Sequence, residues 1–343
     1  MKVMLLERLA TVHSDSVPLR WADVEEPAFG DDEVLLRVHA CGVCHTELDE
    51  IEGRTPPPRL PAILGHQVVG SVIARGSKVH EWEAGDRVGV TWIFCACGKC
   101  DYCTSERENL CPQFQATGRD RDGGYAEYMA VPAAFVFPIP ELFTTDVQAA
   151  PLLCAGAIGY RSLSLTNLRN RQALGLTGFG ASAHFVLKMV KHRFPATEVC
   201  VFARNKTERT IALELGATWV GDTAEQAPCK LDAIIDTTFA WTPVIEALRN
   251  LAPGGRLVIN AIRKEDGDKS VLSRIDYARH IWLEKEIKSV ANVTRRDIVE
   301  FLSLAAEMKL QPLVQEYPLK ATNDAIVDLK TRPVAGAKVL VAG

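Results

Sequence analysis

The 343-residue sequence has no apolar run approaching the roughly 20 residues needed to cross a bilayer, so no membrane span is expected. It also lacks an excess of one charge. With 39 basic and 43 acidic residues the net charge is −4, and no basic stripe with interleaved aromatics appears, which argues against a nucleic-acid partner. No secretory leader is visible at the start, where Lys2, Glu7 and Arg8 interrupt the apolar residues. Internal repeats and low-complexity segments are absent too. What remains is a chain that is 47% apolar, long enough for about two domains with buried cores, and a cytoplasmic location is expected.

Cysteine is not scarce. Ten are present, and five of them fall between Cys95 and Cys111. In a reducing compartment such clustering points to metal or catalysis rather than to a disulfide framework. Cys97-x-x-Cys100-x-x-Cys103, followed by Cys111, offers four thiolates in one loop, with turns at Gly98 and around Asp101 to wrap them round one ion. Four sulfurs would close the tetrahedral shell of Zn²⁺, which predicts a structural rather than a catalytic site. Cys95 is a fifth thiol without an assignment. Further soft ligands stand at other turns: Cys41, Cys44 and His45 in one segment, His66 in Leu64-Gly65-His66-Gln67, and Cys154 much later. Two thiolates and one imidazole would satisfy a zinc with an open position. No spacing rule joins residues 44, 66 and 154, so each stays open between ligand and ordinary core residue.

The first 150 residues read as short β-segments (33–38, 67–74, 86–92, 125–131) broken by Pro and Gly clusters, which predicts an irregular barrel or sandwich. From about residue 155 the rhythm changes. Apolar β-runs at 173–177, 198–202, 231–236, 256–260 and 286–291 alternate with helical patterns such as 181–191 and 207–215, the signature of βαβ units and a parallel sheet. A helix-like stretch at 297–308 and two β-runs at 312–317 and 336–341 end the chain. The expected division is a β domain over 1–153 with its cysteine loop at 95–112, an α/β domain over 154–291, and a tail, 292–343, returning to the first.

Gly175-Leu176-Thr177-Gly178-Phe179-Gly180-Ala181-Ser182-Ala183 closes one predicted strand and opens a helix. It has the G-x-G-x-x-A form, in which glycines allow the tight turn and the close approach of a pyrophosphate to helix N-terminal amides. The next strand ends Ala203-Arg204-Asn205-Lys206, without the carboxylate that usually meets an adenosine ribose. A small residue followed by Arg leaves room and a partner for a 2′-phosphate, so NADP(H) is expected ahead of NAD(H).

Taken together and in order, Gly42-Val43-Cys44-His45-Thr46, Gly65-His66, the Cys97/Cys100/Cys103/Cys111 loop, Cys154-Ala155-Gly156 and Gly178-Phe179-Gly180 resemble the zinc-dependent alcohol dehydrogenases of the medium-chain dehydrogenase/reductase superfamily over the whole chain. The resemblance implies a GroES-like irregular β-barrel domain with a Rossmann domain, and interconversion of small alcohols with aldehydes or ketones. It implies two Zn²⁺ per chain, a catalytic ion on Cys44, His66 and Cys154 and a structural ion on the four-cysteine loop. Thr46 matches the hydroxyl that takes the substrate proton, His45 a side chain facing the cofactor pyrophosphate, and Trp92 a wall of the alcohol pocket. Asp49 stands where many members carry a relay histidine, Glu47 where an Asp supports a zinc ligand, and Gln67 where a Glu lies behind the metal. Gly178, Gly180, Ala181, Ala203, Arg204 and Asn205, with Thr237, Asn260 and Ile262 at later strand ends, would line the dinucleotide. A homodimer or homotetramer is implied as well. Two other readings compete: a zinc-independent quinone or enoyl reductase of the same superfamily, and a nucleotide sensor without turnover.

Overall fold

The computed structural model describes residues 1–332 and 336–342. The chain forms two compact units, one from Met1–Cys154 with Asn292–Gly343, the other from Ala155–Ala291. Among the described residues no helix is long and apolar enough to cross a membrane.

The first unit is built on a seven-stranded sheet. Val136–Pro138, Arg87–Val90, Gln67–Arg75, Glu33–Val43, Ala337–Val341 and Val314–Pro318 lie side by side in that order, and Tyr128–Pro132 pairs with the first half of Glu33–Val43. The C-terminal strand Ala337–Val341 thus adds antiparallel to Ala40–Val43, bringing the chain end back to its beginning. Val34, Leu36, Val68 and Val88 are fully buried in one core with Leu6 and Tyr125, as expected of half-buried strands whose alternate side chains face inward. The pairing of Glu33–Val43 with Gln67–Arg75 slips between Val38 and Ala40. The slip leaves His39 unpaired and turns its ring towards Asp146 (2.9 Å) and Ser71 (3.1 Å). Asp146 also receives Arg87 Nε, so this array ties the short helix Asp146–Ala149 to the sheet. Bulges re-aim side chains in this way.

The second unit carries a six-stranded sheet in which every pair is parallel. Its order is Trp219–Gly221, Glu198–Phe202, Ala173–Thr177, Leu231–Asp236, Leu251–Ile259, Glu286–Ser289. This is the doubly wound Rossmann order, with its switch point between Ala173–Thr177 and Leu231–Asp236. Both strands are almost wholly buried, consistent with continuous apolar runs in a sheet covered on two faces. Helices Ala181–Arg193 and Lys206–Glu214 follow the first two strands in sequence. The fifth strand begins at Leu251 rather than 256. Ala252-Pro253-Gly254-Gly255 forms a bulge, with Gly254 at φ +69°: the strand pairs at Leu251 and again from Arg256, with a register shift opposite Leu231–Ala233. The small sheet Lys2–Leu6/Arg20–Asp23/Ala62–Ile63 and the ribbon Ile93–Cys95/Gln115–Ala116 escape the sequence pattern because strands of two to five residues carry little periodicity.

Candidate active site

Cys44 ends the strand Glu33–Val43 and caps the helix His45–Ile51. Its sulfur accepts the Thr46 N–H at 3.4 Å while the Glu47 carboxylate accepts the Cys44 N–H at 2.8 Å, a reciprocal capping box. His66 follows Gly65, whose φ is +96° and whose missing Cβ would lie 2.5 Å from the Tyr125 ring; only glycine serves both demands. The imidazole is 1% exposed, with Nδ1 2.6 Å from Glu47 Oε1 and Nε2 3.8 Å from Cys44 Sγ. Cys154 closes the turn Ala150–Leu153 and sets its sulfur 4.0 Å from that of Cys44. The three ligand atoms lie within 4.8 Å of one another.

The electrostatics match a cation site. The Cys44 thiol is pushed well above its ordinary pKa by its contact with Cys154 and by burial. Burial would pull His66 down, but the charges of Glu47 and Cys44 overcome it and drive the imidazole well up. The Cys44 thiol and the His66 imidazole, held together without a counter-cation, therefore keep their protons, and a soft divalent ion would take their place. Glu47 fixes the ring so that Nε2 is the nitrogen facing the sulfurs, the carboxylate–histidine arrangement that orients metal ligands. Three donors leave room for one more, and the set fits zinc with an open position.

The second cluster sits in a loop. The sulfurs of Cys97, Cys100, Cys103 and Cys111 also lie within 4.8 Å of one another. Cys97 and Cys103 are 3.8 Å apart, Cys100 and Cys103 3.6 Å. Backbone N–H groups of Cys97 and Gln113 point at Cys111 Sγ. Those of Lys99 and Cys100 pull the Cys97 thiol down to about 6, whereas burial and Cys100 push Cys103 up to about 12. Amides aimed at sulfur favour the thiolate, and the four donors fit a closed zinc shell. Cys95 lies outside the set, 3.3 Å from Gln115 Oε1.

Trp92 is half-buried between Phe114 (centroids 5.4 Å apart) and the Arg119 guanidinium (5.5 Å above the ring). Asp49 is buried and ion-paired with Arg54. Thr46 is half-buried in the first helical turn and His45 exposed.

In the other unit the dinucleotide candidates gather at the C-terminal ends of the parallel strands, where such folds bind ligands. Gly178 has φ +76°, and a Cβ there would lie 2.9 Å from Thr237 Oγ1; Gly180 caps the helix Ala181–Arg193. Ala203 is buried, Arg204 exposed, and Asn205 caps the helix Lys206–Glu214 by accepting the Thr207 N–H. Thr237 Oγ1 donates to Thr177 O, Asn260 N–H to Asp236 O, and Ile262 stands 47% exposed beyond. Lys264 escaped the sequence reading. It is buried in an ion pair with Asp236 and also donates to the carbonyls of Thr238 and Ala240, pinning the segment that carries Asn260 and Ile262. A lone lysine in a polar stretch carries no pattern that reveals such a contact.

Comparison with known proteins gives a consistent result. Residues 30–141 match the Alcohol dehydrogenase GroES-like domain. The chain is 42% identical over 332 residues to a probable alcohol dehydrogenase AdhA of Mycobacterium tuberculosis (strain CDC 1551 / Oshkosh), covering 95% of this chain and 94% of that protein. It is 32% identical over 342 residues to an alcohol dehydrogenase of Geobacillus stearothermophilus, covering 97% and 99%. The solved alcohol dehydrogenase of the archaeon Aeropyrum pernix superposes over 100% of both chains with a TM-score of 0.85 at 25% identity.

Proposed function

This chain belongs to the zinc-type alcohol dehydrogenases of the medium-chain dehydrogenase/reductase superfamily, and from that membership we propose that it interconverts small alcohols with aldehydes or ketones, with NADP(H) as the preferred dinucleotide. The observation that carries the reading is the convergence of Cys44 Sγ, His66 Nε2 and Cys154 Sγ from three separate segments into one three-donor cluster. Bound there, zinc would supply a Lewis acid for the substrate oxygen, and the dinucleotide would supply the two-electron chemistry.

The protein's own groups do the rest. Cys44 and Cys154 provide soft anionic donors, and His66 a neutral one whose orientation Glu47 fixes. Thr46 Oγ1 takes the hydroxyl proton of the alcohol and returns it in the reverse direction. Asp49, charge-paired with Arg54, receives that proton on its way to solvent. Trp92 bounds the substrate pocket. In the Rossmann unit, Gly178, Gly180 and Ala181 bring backbone amides to the pyrophosphate. Ala203 leaves space beside the adenosine ribose, Arg204 offers a guanidinium to a 2′-phosphate, and Asn205 holds that turn. Thr237, Asn260 and Ile262 border the ribose and nicotinamide. The four-cysteine loop holds a second, structural zinc. The division 1–153, 154–291 and 292–343 assigns catalysis, dinucleotide binding and the return to the catalytic domain. A homodimer or homotetramer in the cytoplasm completes the proposal.

Steady-state kinetics on a panel of alcohols and aldehydes, run with NAD(H) and NADP(H) side by side and with metal analysis of the same preparation, tests it. Turnover with about two zinc ions per chain and lower KM for NADP(H) is the expected result. Turnover without zinc would replace the reading with a metal-independent reductase, and a preference for NAD(H) would overturn the role of Arg204.

A further inference from the structure

Lys264 and Asp236 form a buried ion pair at the C-terminal edge of the parallel sheet, and stability alone does not account for it. The Asp236 side chain is fully buried and that of Lys264 is 8% exposed. Taking two charges out of water costs much of what their attraction returns, and an apolar pair of similar volume often serves stability as well or better. What the ion pair adds is direction. Asp236 Oδ2 takes the ammonium, while Oδ1 accepts the hydroxyls of Thr177 (2.7 Å) and Thr238 (2.8 Å). Lys264 Nζ also donates to the carbonyls of Thr238 (2.7 Å) and Ala240 (3.2 Å), so all three ammonium protons have acceptors.

These partners come from three neighbouring strand ends. Thr177 closes Ala173–Thr177 and directly precedes Gly178; Asp236 closes Leu231–Asp236 and directly precedes Thr237; Lys264 follows Leu251–Ile259, just beyond Asn260 and Ile262. Backbone bonds hold the strand ends themselves: Thr237 N–H on Thr177 O (2.9 Å) and Asn260 N–H on Asp236 O (2.8 Å). Past them, residues 237–240 and 260–264 belong to no strand or helix. Such loops are the parts of a fold freest to move. Here one buried ammonium ties the two loops to each other, and the carboxylate it grips ties both to the residue before the phosphate turn.

We propose that Lys264 is a positioning residue for the nicotinamide half of the dinucleotide: through Asp236 it locks the loops carrying Thr237, Asn260 and Ile262 to the phosphate turn, so that the ring is held in one pose. This rests on the reading of those residues as the border of the ribose and nicotinamide. The adenosine half is independent of the lysine, because Ala203, Arg204 and Asn205 follow Glu198–Phe202, on the far side of Ala173–Thr177 from both loops.

The test is calorimetric binding to the full-length, zinc-loaded enzyme of NADPH, which spans both halves, and of 2′,5′-ADP, which carries the phosphorylated adenosine half alone. If the lock keeps the loops in the binding-competent arrangement, Lys264→Met should raise the dissociation constant for NADPH about tenfold and diminish the change in its nicotinamide fluorescence, with 2′,5′-ADP binding within about twofold of wild type. The double variant Asp236→Asn/Lys264→Met removes both buried charges. It should regain the thermal stability lost in Lys264→Met without regaining affinity for NADPH, a separation that a purely structural pair would not produce. Equal weakening of both ligands, unchanged NADPH affinity in Lys264→Met, or affinity regained in the double variant overturns the proposal. Hydrogen exchange on the wild type needs no variant: NADPH should slow the amides of 237–242 and 260–266 more than 2′,5′-ADP does, and equal protection overturns the proposal as well. A wild type that prefers NADH removes the role of Arg204 but leaves this test standing, with NADH and 5′-AMP as the pair. A wild type that binds neither dinucleotide brings down the dinucleotide reading itself, and this proposal with it.

Discussion

The two thiol clusters of the first unit solve the same problem in opposite ways. Cys97 and Cys111 are 14 residues apart and the whole set lies in one loop, whereas Cys44 and Cys154 are 110 residues apart. The loop cluster is made locally: short spacers and left-handed Gly98 bend the chain, and backbone amides meet the sulfurs. The dispersed cluster is made by the sheet. A strand end, a glycine turn and a short helical turn deliver one donor apiece, and the support is shared between one backbone amide, Thr46 N–H on Cys44 Sγ, and a side chain, Glu47, on His66. Four donors close a shell and three leave it open, so the locally encoded cluster suits structure and the tertiary one suits chemistry.

The sharpest way to break that contrast is Cys154→Ser. Turnover should fall by at least about 10³-fold with loss of one zinc equivalent, while the thermal midpoint stays within a few degrees, as measured by kinetics, metal analysis and calorimetry. An active Cys154→Ser enzyme would erase the distinction between the clusters. Cys103→Ser should show the converse: several kcal/mol lost from the loop region, read as faster amide exchange and proteolysis over 95–112, with the remaining folded enzyme still turning over. The supporting group separates the clusters next. Glu47→Gln should weaken metal binding at the open site by about 10–100-fold in competition with a chelator and leave the loop site unaffected.

The smallest effect concerns acid. Glu52 closes the helix that Cys44 caps; burial opposes its charge, but the Val12 N–H, Lys330 and Arg54 hold its carboxyl down at about 2. Its folded pKa is thus below its unfolded value, so its contribution is complete above the ordinary carboxylate range and is lost as pH falls from about 4.5 towards 2. Glu52→Gln should lower stability near neutrality by about 1 kcal/mol after solvent screening and flatten the acid limb of the unfolding curve, measured by denaturant titration. Unaltered acid sensitivity would show that the clamp on this helix carries no linked protons.

The legibility of the molecule followed the same line as the clusters. The Rossmann strands were readable because a sheet covered on both faces requires continuous apolar runs, and Ala173–Thr177, Glu198–Phe202 and Leu231–Asp236 fall on the expected residues. The turn at Gly178–Ala181 was readable because positive φ and close approach leave few alternatives to glycine. Resemblance, not spacing, singled out Cys44, His66 and Cys154. Contacts between charged or polar residues far apart in the chain were invisible: Lys264 on Asp236, and His39 swung by a bulge towards Asp146. No period or motif links the partners of either contact.

By itself, then, the order of amino acids determined which segments become strands and helices, where the chain must turn, and that one loop can gather four sulfurs, because all of these depend on neighbours a few residues away. Only the tertiary structure decided that a strand end, a turn and a distant helical corner share one volume, and which buried acids face which donors. Those outcomes depend on sheet order and register, which no short stretch of chain contains.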